Sequence, residues 1–235
     1  MTTSDMTQTA VDTIIRTENL YRTYHTSDIE VHAVNNISLT IPRARMTAIV
    51  GRSGAGKTTL LNLLSGLDEP TAGKVFIDQQ DLYALRETER LALRRDRIGF
   101  VFQNFGLLPL LSAEENVSIP LRMQKVSHQQ RQKRVSEALE WVGLRPRAKH
   151  RPYELSGGEQ QRVAIARALA AQPEIIMADE PTGQLDSHTG RRILAIMREL
   201  VQQQGITMVI VTHDPQVQDA ADLVYHLKDG AVESS

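Results

Sequence analysis

Residues 46–65 read MTAIVGRSGAGKTTLLNLLS, and this stretch decides the fold class. Residues 46–50 form a short apolar run that ends at a glycine, as a buried parallel strand does. Residues 57–65 then carry leucines around most of the helical circumference, which is typical of a buried helix. Short buried strands alternate with helices again from residue 157 onward. This alternation predicts a mostly parallel sheet with helices on both faces.

The turn between that strand and helix matches the pattern G-x-x-x-x-G-K-[ST] in the context that the pattern requires. Glycines let successive backbone N–H groups point at phosphate oxygens, and the helix beginning near Lys57 adds the positive end of its dipole. Lys57 offers an ammonium to the β- and γ-phosphates, and Thr58 offers a hydroxyl to Mg²⁺. The predicted phosphate-binding residues are Gly51, Arg52, Ser53, Gly54, Ala55, Gly56, Lys57, Thr58 and Thr59.

A second segment places two carboxylates at the end of a strand. Residues 175–178 are apolar and run into Asp179 and Glu180. In open α/β sheets this edge is where ligands bind. Asp179 is expected to hold Mg²⁺, and Glu180 to orient or deprotonate a water that attacks the γ-phosphate.

A third segment, residues 155–162, reads LSGGEQQR and opens a predicted helix. Ser156 is a good N-cap residue, whereas Gly157 and Gly158 weaken a first helical turn. A ligand that approaches the backbone explains two consecutive glycines better than an ordinary capped helix does. The segment therefore predicts a second phosphate-binding helix terminus.

These segments together resemble the motifs of ABC-type ATPases, and the resemblance extends from about residue 14 to residue 232. Residues 51–58 resemble the Walker A loop of that family, residues 175–180 its Walker B strand and residues 155–162 its signature motif. The motifs occur in the family's order. The resemblance is therefore specific.

Single residues extend the resemblance. Gln103 is similar to the Q-loop glutamine of the family, Asp186 to its D-loop aspartate and His213 to its switch histidine. Tyr24 stands where the family usually places an aromatic residue against adenine, and Tyr21 is the alternative.

A finer resemblance is to the branch that contains the ATPases of lipoprotein-release and macrolide-efflux systems. It rests on residues 103–109 (QNFGLLP), 178–186 (ADEPTGQLD) and 212–215 (THDP). Two places depart from that branch: Arg43-Ala44-Arg45 stands where a glycine is usual, and Gln184 replaces the commoner asparagine.

The resemblance implies a P-loop NTPase (RecA-like) core with a mostly parallel sheet, an N-terminal antiparallel β portion and a helical insertion. Residues 1–12 are expected to be a tail and residues 13–235 a single ATPase domain. Within it, residues 13–86 and 164–235 are expected to form the nucleotide-binding core with its β subdomain. Residues 87–163 are expected to be mainly helical.

The resemblance also implies ATP and Mg²⁺ as cofactors and an ATP-dependent homodimer with each nucleotide between two chains. The expected catalytic residues are Lys57, Gln103, Glu180 and His213, and the expected Mg²⁺ ligands are Thr58, Gln103 and Asp179. Tyr24 would contact the base, Gln103 and His213 would contact the bound phosphates, and Asp186 would lie at the dimer contact. Ser156, Gly157 and Gly158 of the partner chain would complete the nucleotide site.

Composition limits the other classes of function. Lys and Arg total 27 against 28 Asp and Glu, so a surface built to coat nucleic acid is not expected. The chain lacks cysteine and any run of about 20 apolar residues that could cross a bilayer. A transport role would therefore require a separate permease, which places the chain in the cytoplasm on the inner face of the membrane. The apolar residues expected to contact a permease are Phe105, Leu107, Leu108, Leu110 and Leu111.

Three alternatives remain open from sequence. The chain could serve an importer rather than an exporter. It could be a soluble ABC-type factor that acts on ribosomes or DNA, although those usually carry two cassettes or long coiled-coil arms. A P-loop kinase is the third alternative, but it would not explain residues 156–162.

Overall fold

The computed structural model describes residues 12–26 and 29–233 of the 235-residue chain. The tail expected at residues 1–12 lies outside the described residues except for Asp12, which accepts hydrogen bonds from Arg43. The strands are β1 (Thr13–Thr26), β2 (Ile29–Ile37), β3 (Thr40–Pro42), β4 (Met46–Val50), β5 (Ala72–Ile77), β6 (Gln80–Asp81), β7 (Ile98–Val101), β8 (Ile175–Asp179), β9 (Thr207–Thr212), β10 (Leu223–Lys228) and β11 (Ala231–Val232). The helices are α1 (Lys57–Ser65), α2 (Glu87–Arg97), α3 (Ala113–Met123), α4 (His128–Trp141), α5 (Gly157–Ala170), α6 (Ser187–Gln204) and α7 (Pro215–Ala220).

A six-stranded sheet in the order β11-β10-β4-β9-β8-β7 forms the centre of the molecule. Its strands are parallel except for β11, which closes a hairpin on β10. Successive residues of β8 point to opposite faces: Ile175 and Met177 enter one hydrophobic cluster, and Ile176 and Ala178 enter the other. Both faces are therefore covered, which is why the central strands are mostly apolar. The predicted α/β fold class is confirmed.

A second, antiparallel sheet lies near the N-terminus, with the order β2-β1-β5-β6 and with β3 also paired to β1. The sequence pattern predicts one strand over residues 31–41, and this prediction is wrong. The first half of β1 pairs with β3, and its second half pairs with β2. Asn19 and Asn36 adopt positive φ angles of 44° and 53°, which turn the chain between the two pairings.

Residues 87–163 contain α2, α3 and α4, the strand β7, two short 3₁₀ turns and the beginning of α5. Ser112, followed three residues later by Glu115, is a sequence pattern that predicts a capping box, and the structure confirms it, because each side chain bonds the other residue's backbone N–H. α5 runs across the expected boundary at residues 163 and 164. It packs against α3 and α4 on one side and β7 on the other, so it joins the helical portion to the central sheet.

Ala44 occupies the turn between β3 and β4 with a φ of 52°. This left-handed conformation favours glycine, so alanine is strained at this position. Among the helices of the described residues, none combines the length and apolarity needed to cross a membrane.

Candidate nucleotide-binding site

The turn between β4 and α1 is a loop with three positions that favour or require glycine. Gly54 and Gly56 have φ angles of 81° and 95°. A Cβ atom at Gly56 would lie 2.0 Å from the carbonyl oxygen of Ala33, and one at Gly51 would lie 2.3 Å from that of Leu227. These close approaches fix the curvature of the loop, whose geometry suits phosphate oxygens because its N–H groups and the start of α1 converge there.

Lys57 lies under this loop, and its side chain is 8% exposed. Its Nζ donates to the carbonyl oxygens of Gly51 and Arg52, at 2.9 and 3.1 Å, and lies 3.7 Å from Oε1 of Glu180. An ammonium buried this deeply needs anionic or carbonyl partners. The carbonyl oxygens supply partial negative charge and the Glu180 carboxylate supplies a full one at the longer distance of 3.7 Å, and an ammonium held at the loop in this way also suits a phosphate group.

Thr58 and Asp179 join α1 to the end of β8. The Thr58 hydroxyl donates to Oδ2 of Asp179 at 3.0 Å. Burial raises the pKa of the Asp179 carboxyl, and the neighbouring charge of Glu180 adds to this, against the opposing effects of Thr58 and Lys57. A hydroxyl and a carboxylate already in contact are donors that suit Mg²⁺, which commonly takes one or two protein oxygens and fills its other positions with water and phosphate.

Glu180 follows β8 with a φ of 45°, and this turns its side chain toward the end of β9. Its Oε2 accepts a hydrogen bond of 2.9 Å from the Thr212 hydroxyl and one of 3.3 Å from the His213 backbone N–H. Its Oε1 lies 2.8 Å from Nδ1 of His213. Both carboxylate oxygens are therefore engaged, while the His213 side chain remains 67% exposed.

Gln103 follows β7, and its side chain is close to the segment after Glu180. Its Nε2 lies 3.4 Å from the position that a Cβ on Gly183 would occupy. The neighbouring Asn104 accepts a hydrogen bond of 2.6 Å from Gln184, the residue that departs from the related branch. Gln103 and Asn104, after β7, are therefore close to residues 183 and 184, which follow Glu180.

The second predicted phosphate-binding terminus is the start of α5. Ser156 caps this helix, and Glu159 completes the capping box by accepting from Ser156 N–H at 2.9 Å. A Cβ on Gly158 would lie 2.4 Å from Cγ2 of Thr189. Helix packing within the chain therefore requires this glycine, and ligand approach is not needed to explain it. A Cβ on Gly157 would meet no atom closer than 3.6 Å, so that face of the terminus is open.

The start of α5 opens into a cleft of about 410 Å³ that also receives residues 184–186, Thr189, Arg162 and Arg192. Asp186 caps α6 here, and bonds from Thr189 hold the pKa of its carboxyl below the ordinary value. The described residues that line this cleft include none from the loop at residues 51–58. The α5 terminus therefore faces a cleft that the loop at residues 51–58 does not line.

Tyr24 and Tyr21 are both on β1 but have different surroundings. Tyr24 is opposite Val31 in the sheet. Val31 is two residues before Ala33, whose carbonyl oxygen packs against Gly56. Tyr21 instead lines a cleft of about 650 Å³ with residues of β2, β11 and the β2–β3 turn. The two tyrosines therefore face different parts of the β subdomain, Tyr24 toward Asp68 and Tyr21 toward the cleft beside β11.

An apolar groove of about 500 Å³ runs between α2, α3 and the segment after β7. It is lined by exposed side chains of Leu91, Phe102, Leu108 and Met123, together with Arg167. Of the five apolar residues expected at a contact surface, Leu108 lines this groove, Leu110 is 81% exposed outside it, and the others are half-buried.

Sequence reasoning missed Thr212 and most of the groove. Thr212 follows Val211, which pairs with Asp179, so the register of β8 and β9 places Thr212 beside Glu180. The THDP segment contains the residue, but the contact becomes visible only when the two strands are paired. The groove combines residues of separate elements and has no local pattern.

This chain is similar to several known proteins of one family. A family model described as ABC transporter matches residues 34–183. The chain is 46% identical over 224 residues to an uncharacterized ABC transporter ATP-binding protein, MJ0796, of Methanocaldococcus jannaschii, covering 94% of this chain and 95% of that one. It is 42% identical to the lipoprotein-releasing system ATP-binding protein LolD of Legionella pneumophila, covering 94% and 97%.

The chain is also 44% identical to the macrolide export ATP-binding/permease protein MacB of Vibrio parahaemolyticus, with 94% of this chain covering 34% of that longer protein. Among solved structures, it resembles a dimeric post-hydrolysis state of the ATP-binding cassette MJ0796 bound to ADP and Pi. The TM-score is 0.87 and the identity 44%, with 94% of this chain and 97% of that chain covered.

Proposed function

We propose, from the premise that this chain belongs to the ABC transporter family, that it drives a separate membrane permease by binding ATP as a dimer and hydrolysing it. Its membership makes the chain an ATP-binding, ATP-hydrolysing cassette, similar to the MacB and LolD branch. The homodimer, the role of each residue and the permease are the proposed parts.

One observation carries the dimer: the cleft at the α5 terminus is lined by α5, α6 and the segment before α6, and by none of residues 51–58. Each is half of a phosphate site, since a helix N-terminus attracts an anion. A second copy, placed head to tail, brings the Ser156–Gly157–Gly158 terminus over the nucleotide on the first chain's loop. A γ-phosphate held by two termini attracts the chains together, and its loss on hydrolysis removes that attraction.

Within each site, Lys57 holds the β- and γ-phosphates, and Tyr24 meets the base. Thr58 and Asp179, with Gln103, hold Mg²⁺, which when bound supplies positive charge to the phosphate oxygens. Glu180 orients or deprotonates the attacking water, and His213 donates to the γ-phosphate. Asp186 lies at the contact between the chains, beside the α5 terminus that meets the partner's nucleotide.

The apolar groove is the proposed permease contact. A cytoplasmic helical segment of the permease would place its apolar face against Leu91, Phe102, Leu108 and Met123. Arg167 donates to the carbonyl oxygens of Phe105 and Gly106, and burial lowers the pKa of its guanidinium. Since none of its hydrogen bonds among the described residues is to a carboxylate, an acidic residue of the permease segment would complement its charge.

Export or release from the membrane is the proposed direction. It is supported by the similarity to proteins named for macrolide export and for lipoprotein release. In this assembly the chain lies in the cytoplasm, attached to the inner face of the membrane through the permease.

Membrane fractionation of the tagged chain in its native host tests the assembly. The chain is expected in the membrane fraction, and Met123→Asp in the groove should move most of it to the soluble fraction. Tyr153→Asp is the matched control, because Tyr153 is an exposed apolar residue (72%) and does not line the groove. The purified Met123→Asp chain should retain basal ATP hydrolysis.

Photocrosslinking from position 123 then identifies the partner. A crosslink to an integral membrane protein is the expected result. Equal membrane association of the parent, Met123→Asp and Tyr153→Asp chains would contradict the permease proposal, and so would a crosslink only to soluble proteins.

A further inference from the structure

Three residues around the proposed base site form a closed set of contacts. The Asp68 carboxylate accepts from the Tyr24 hydroxyl at 2.6 Å and from two nitrogens of Arg22, Nε at 2.9 Å and a terminal nitrogen at 2.7 Å. The Arg22 guanidinium carbon lies 4.5 Å from the centre of the Tyr24 ring. Asp68 thus holds both the ring's hydroxyl and the cation that covers one face of the ring.

The backbone of Asp68 is itself held in place by the last turn of α1 and by Tyr83. It follows the end of α1, and its backbone N–H donates to the Asn62 carbonyl oxygen in the last turn of that helix. Its own carbonyl oxygen accepts from the Tyr83 hydroxyl at 2.5 Å. The Asp68 and Arg22 side chains are 22% and 24% exposed, so their bidentate pair is partly shielded from water. A charge-assisted bidentate pair of this kind fixes geometry better than a single surface contact does.

The other side of Tyr24 offers apolar surface. Tyr24 is 37% exposed, and Val31, directly across the strand pair, is 49% exposed. Among the described residues, Arg22 makes the one recorded cation–π contact with Tyr24, and no aromatic ring stacks on it. One ring face is therefore taken by Arg22, and the exposed part of the ring is left for a planar base.

We propose that Asp68 and Arg22 are positioning residues that fix Tyr24 as a stacking platform for the purine of ATP. The inference rests on the proposed function in one respect, namely that Tyr24 meets the base. Preorganisation is the physical gain, because a ring already held in its bound orientation loses less conformational freedom on binding. The Arg22 cation also polarises the ring from behind.

Equilibrium binding of two ligands tests this proposal: Mg-ATP, and Mg-tripolyphosphate, which has phosphates but no base. Asp68→Asn keeps the size of the side chain and removes its charge. It should weaken ATP binding by about three- to ten-fold, the range expected for losing a charged hydrogen bond that orders a contact residue. Tripolyphosphate binding should not change. Arg22→Met should act in the same way, and Arg22→Lys should restore part of the loss.

Glu69→Gln is the matched control. Glu69 is the adjacent carboxylate, and its ion pair is with Arg90 and not with Arg22. This variant should bind both ligands as the parent does. A double-mutant cycle completes the test, since Asp68→Asn should have no further effect in a Tyr24→Ala background.

The outcomes separate the two levels of inference. If Tyr24→Ala lowers ATP affinity but Asp68→Asn does not, or if Asp68→Asn weakens both ligands equally, the positioning role is wrong and base stacking stands. If Tyr24→Ala leaves the ratio of the two affinities unchanged, the proposed base contact itself is wrong.

Discussion

Nδ1 of His213 lies 2.8 Å from Oε1 of Glu180, so the proposed general base and the proposed switch residue are hydrogen-bonded to each other. Because an ionised carboxylate oxygen only accepts, Nδ1 is the donor in this contact, and donation to a γ-phosphate requires a second proton on Nε2. Thr212 and the His213 N–H occupy the other carboxylate oxygen. Glu180 therefore has a fixed orientation before any nucleotide arrives.

Lys57 and Glu180 should have separable roles in binding and hydrolysis. Lys57→Ala removes the ammonium at the β- and γ-phosphates, so ATPase activity should be lost mainly through weaker nucleotide binding. Glu180→Gln keeps the shape of the side chain and should preserve binding while hydrolysis falls by at least about 100-fold, as expected for loss of a general base. Nucleotide titration and phosphate release measure the two effects. Tight ATP binding by both variants would refute this division.

His213→Ala should leave the affinity for ATP within a few-fold and reduce kcat severely. A donor to the γ-phosphate contributes most in the transition state, where negative charge shifts. Thr212→Val is the companion variant, since it removes one bond to Glu180 but no group that faces the nucleotide, and a smaller loss of kcat is expected. Steady-state hydrolysis at saturating Mg-ATP is the measurement, and an unchanged kcat in His213→Ala would contradict the proposed role.

The dimer should depend on the γ-phosphate and on the α5 terminus. Glu180→Gln should be monomeric with Mg-ADP and dimeric with Mg-ATP, as measured by light scattering at fixed concentration. Adding Ser156→Arg should abolish the ATP-induced dimer, because the long cation blocks the helix terminus, while ATP binding to the monomer survives.

Ser156 is also an N-cap, so its loss costs helix stability. Ser127→Arg is the matched control, because the Ser127 side chain also accepts a bond from a backbone N–H in the first turn of its helix, α4, and lies outside the α5 cleft. It should leave the ATP-induced dimer intact. Persistence of the dimer in the Ser156→Arg variant would show that α5 does not meet the partner's nucleotide.

Ala44→Gly should raise the free energy of unfolding by up to about 1 kcal/mol, since the left-handed φ of 52° is costly for alanine and free for glycine. Ala148→Gly, at an ordinary φ of −51°, should lower stability instead. Urea unfolding of both variants tests the sign, and destabilisation by Ala44→Gly would exclude strain at this turn.

Asp78 provides a prediction about pH. Burial works to raise the pKa of its carboxyl, but hydrogen bonds and charges from Arg97 and Arg43 outweigh burial and hold the pKa below the ordinary 3.8. A depressed pKa in the folded state stabilises the fold above the unfolded value, and this contribution disappears as pH falls through the folded value. Asp78→Asn, which also tolerates the φ of 49°, should cost about 1 kcal/mol at pH 7.

That cost should shrink as the pH falls below about 4 and vanish in strong acid, where the parent carboxyl is protonated as well. Thermal unfolding of both proteins across this range gives the comparison. A difference that is independent of pH would mean that the charge of Asp78 does not stabilise the fold.

The sequence predicts those parts of the site that are continuous in the chain. The loop at residues 51–58, the strand before Asp179 and the start of α5 at Ser156 are local patterns with local physical causes, and the structure contains all three. The break between β2 and β3 was not predicted because it depends on which half of β1 each segment pairs with. The contact of Tyr24 with Asp68 joins residues 44 positions apart, and no periodicity reveals it.

α5 links the proposed dimer contact to the apolar groove. Its first residues form the terminus proposed to meet the partner's nucleotide, and Arg167, ten residues on, bonds the Phe105 and Gly106 carbonyls beside the groove. At 1.5 Å per residue, these points are about 15 Å apart on one rigid rod. A tilt of about 10° at the nucleotide end would displace the groove end by about 3 Å. α5 can therefore act as a lever that carries movement between the dimer contact and the groove.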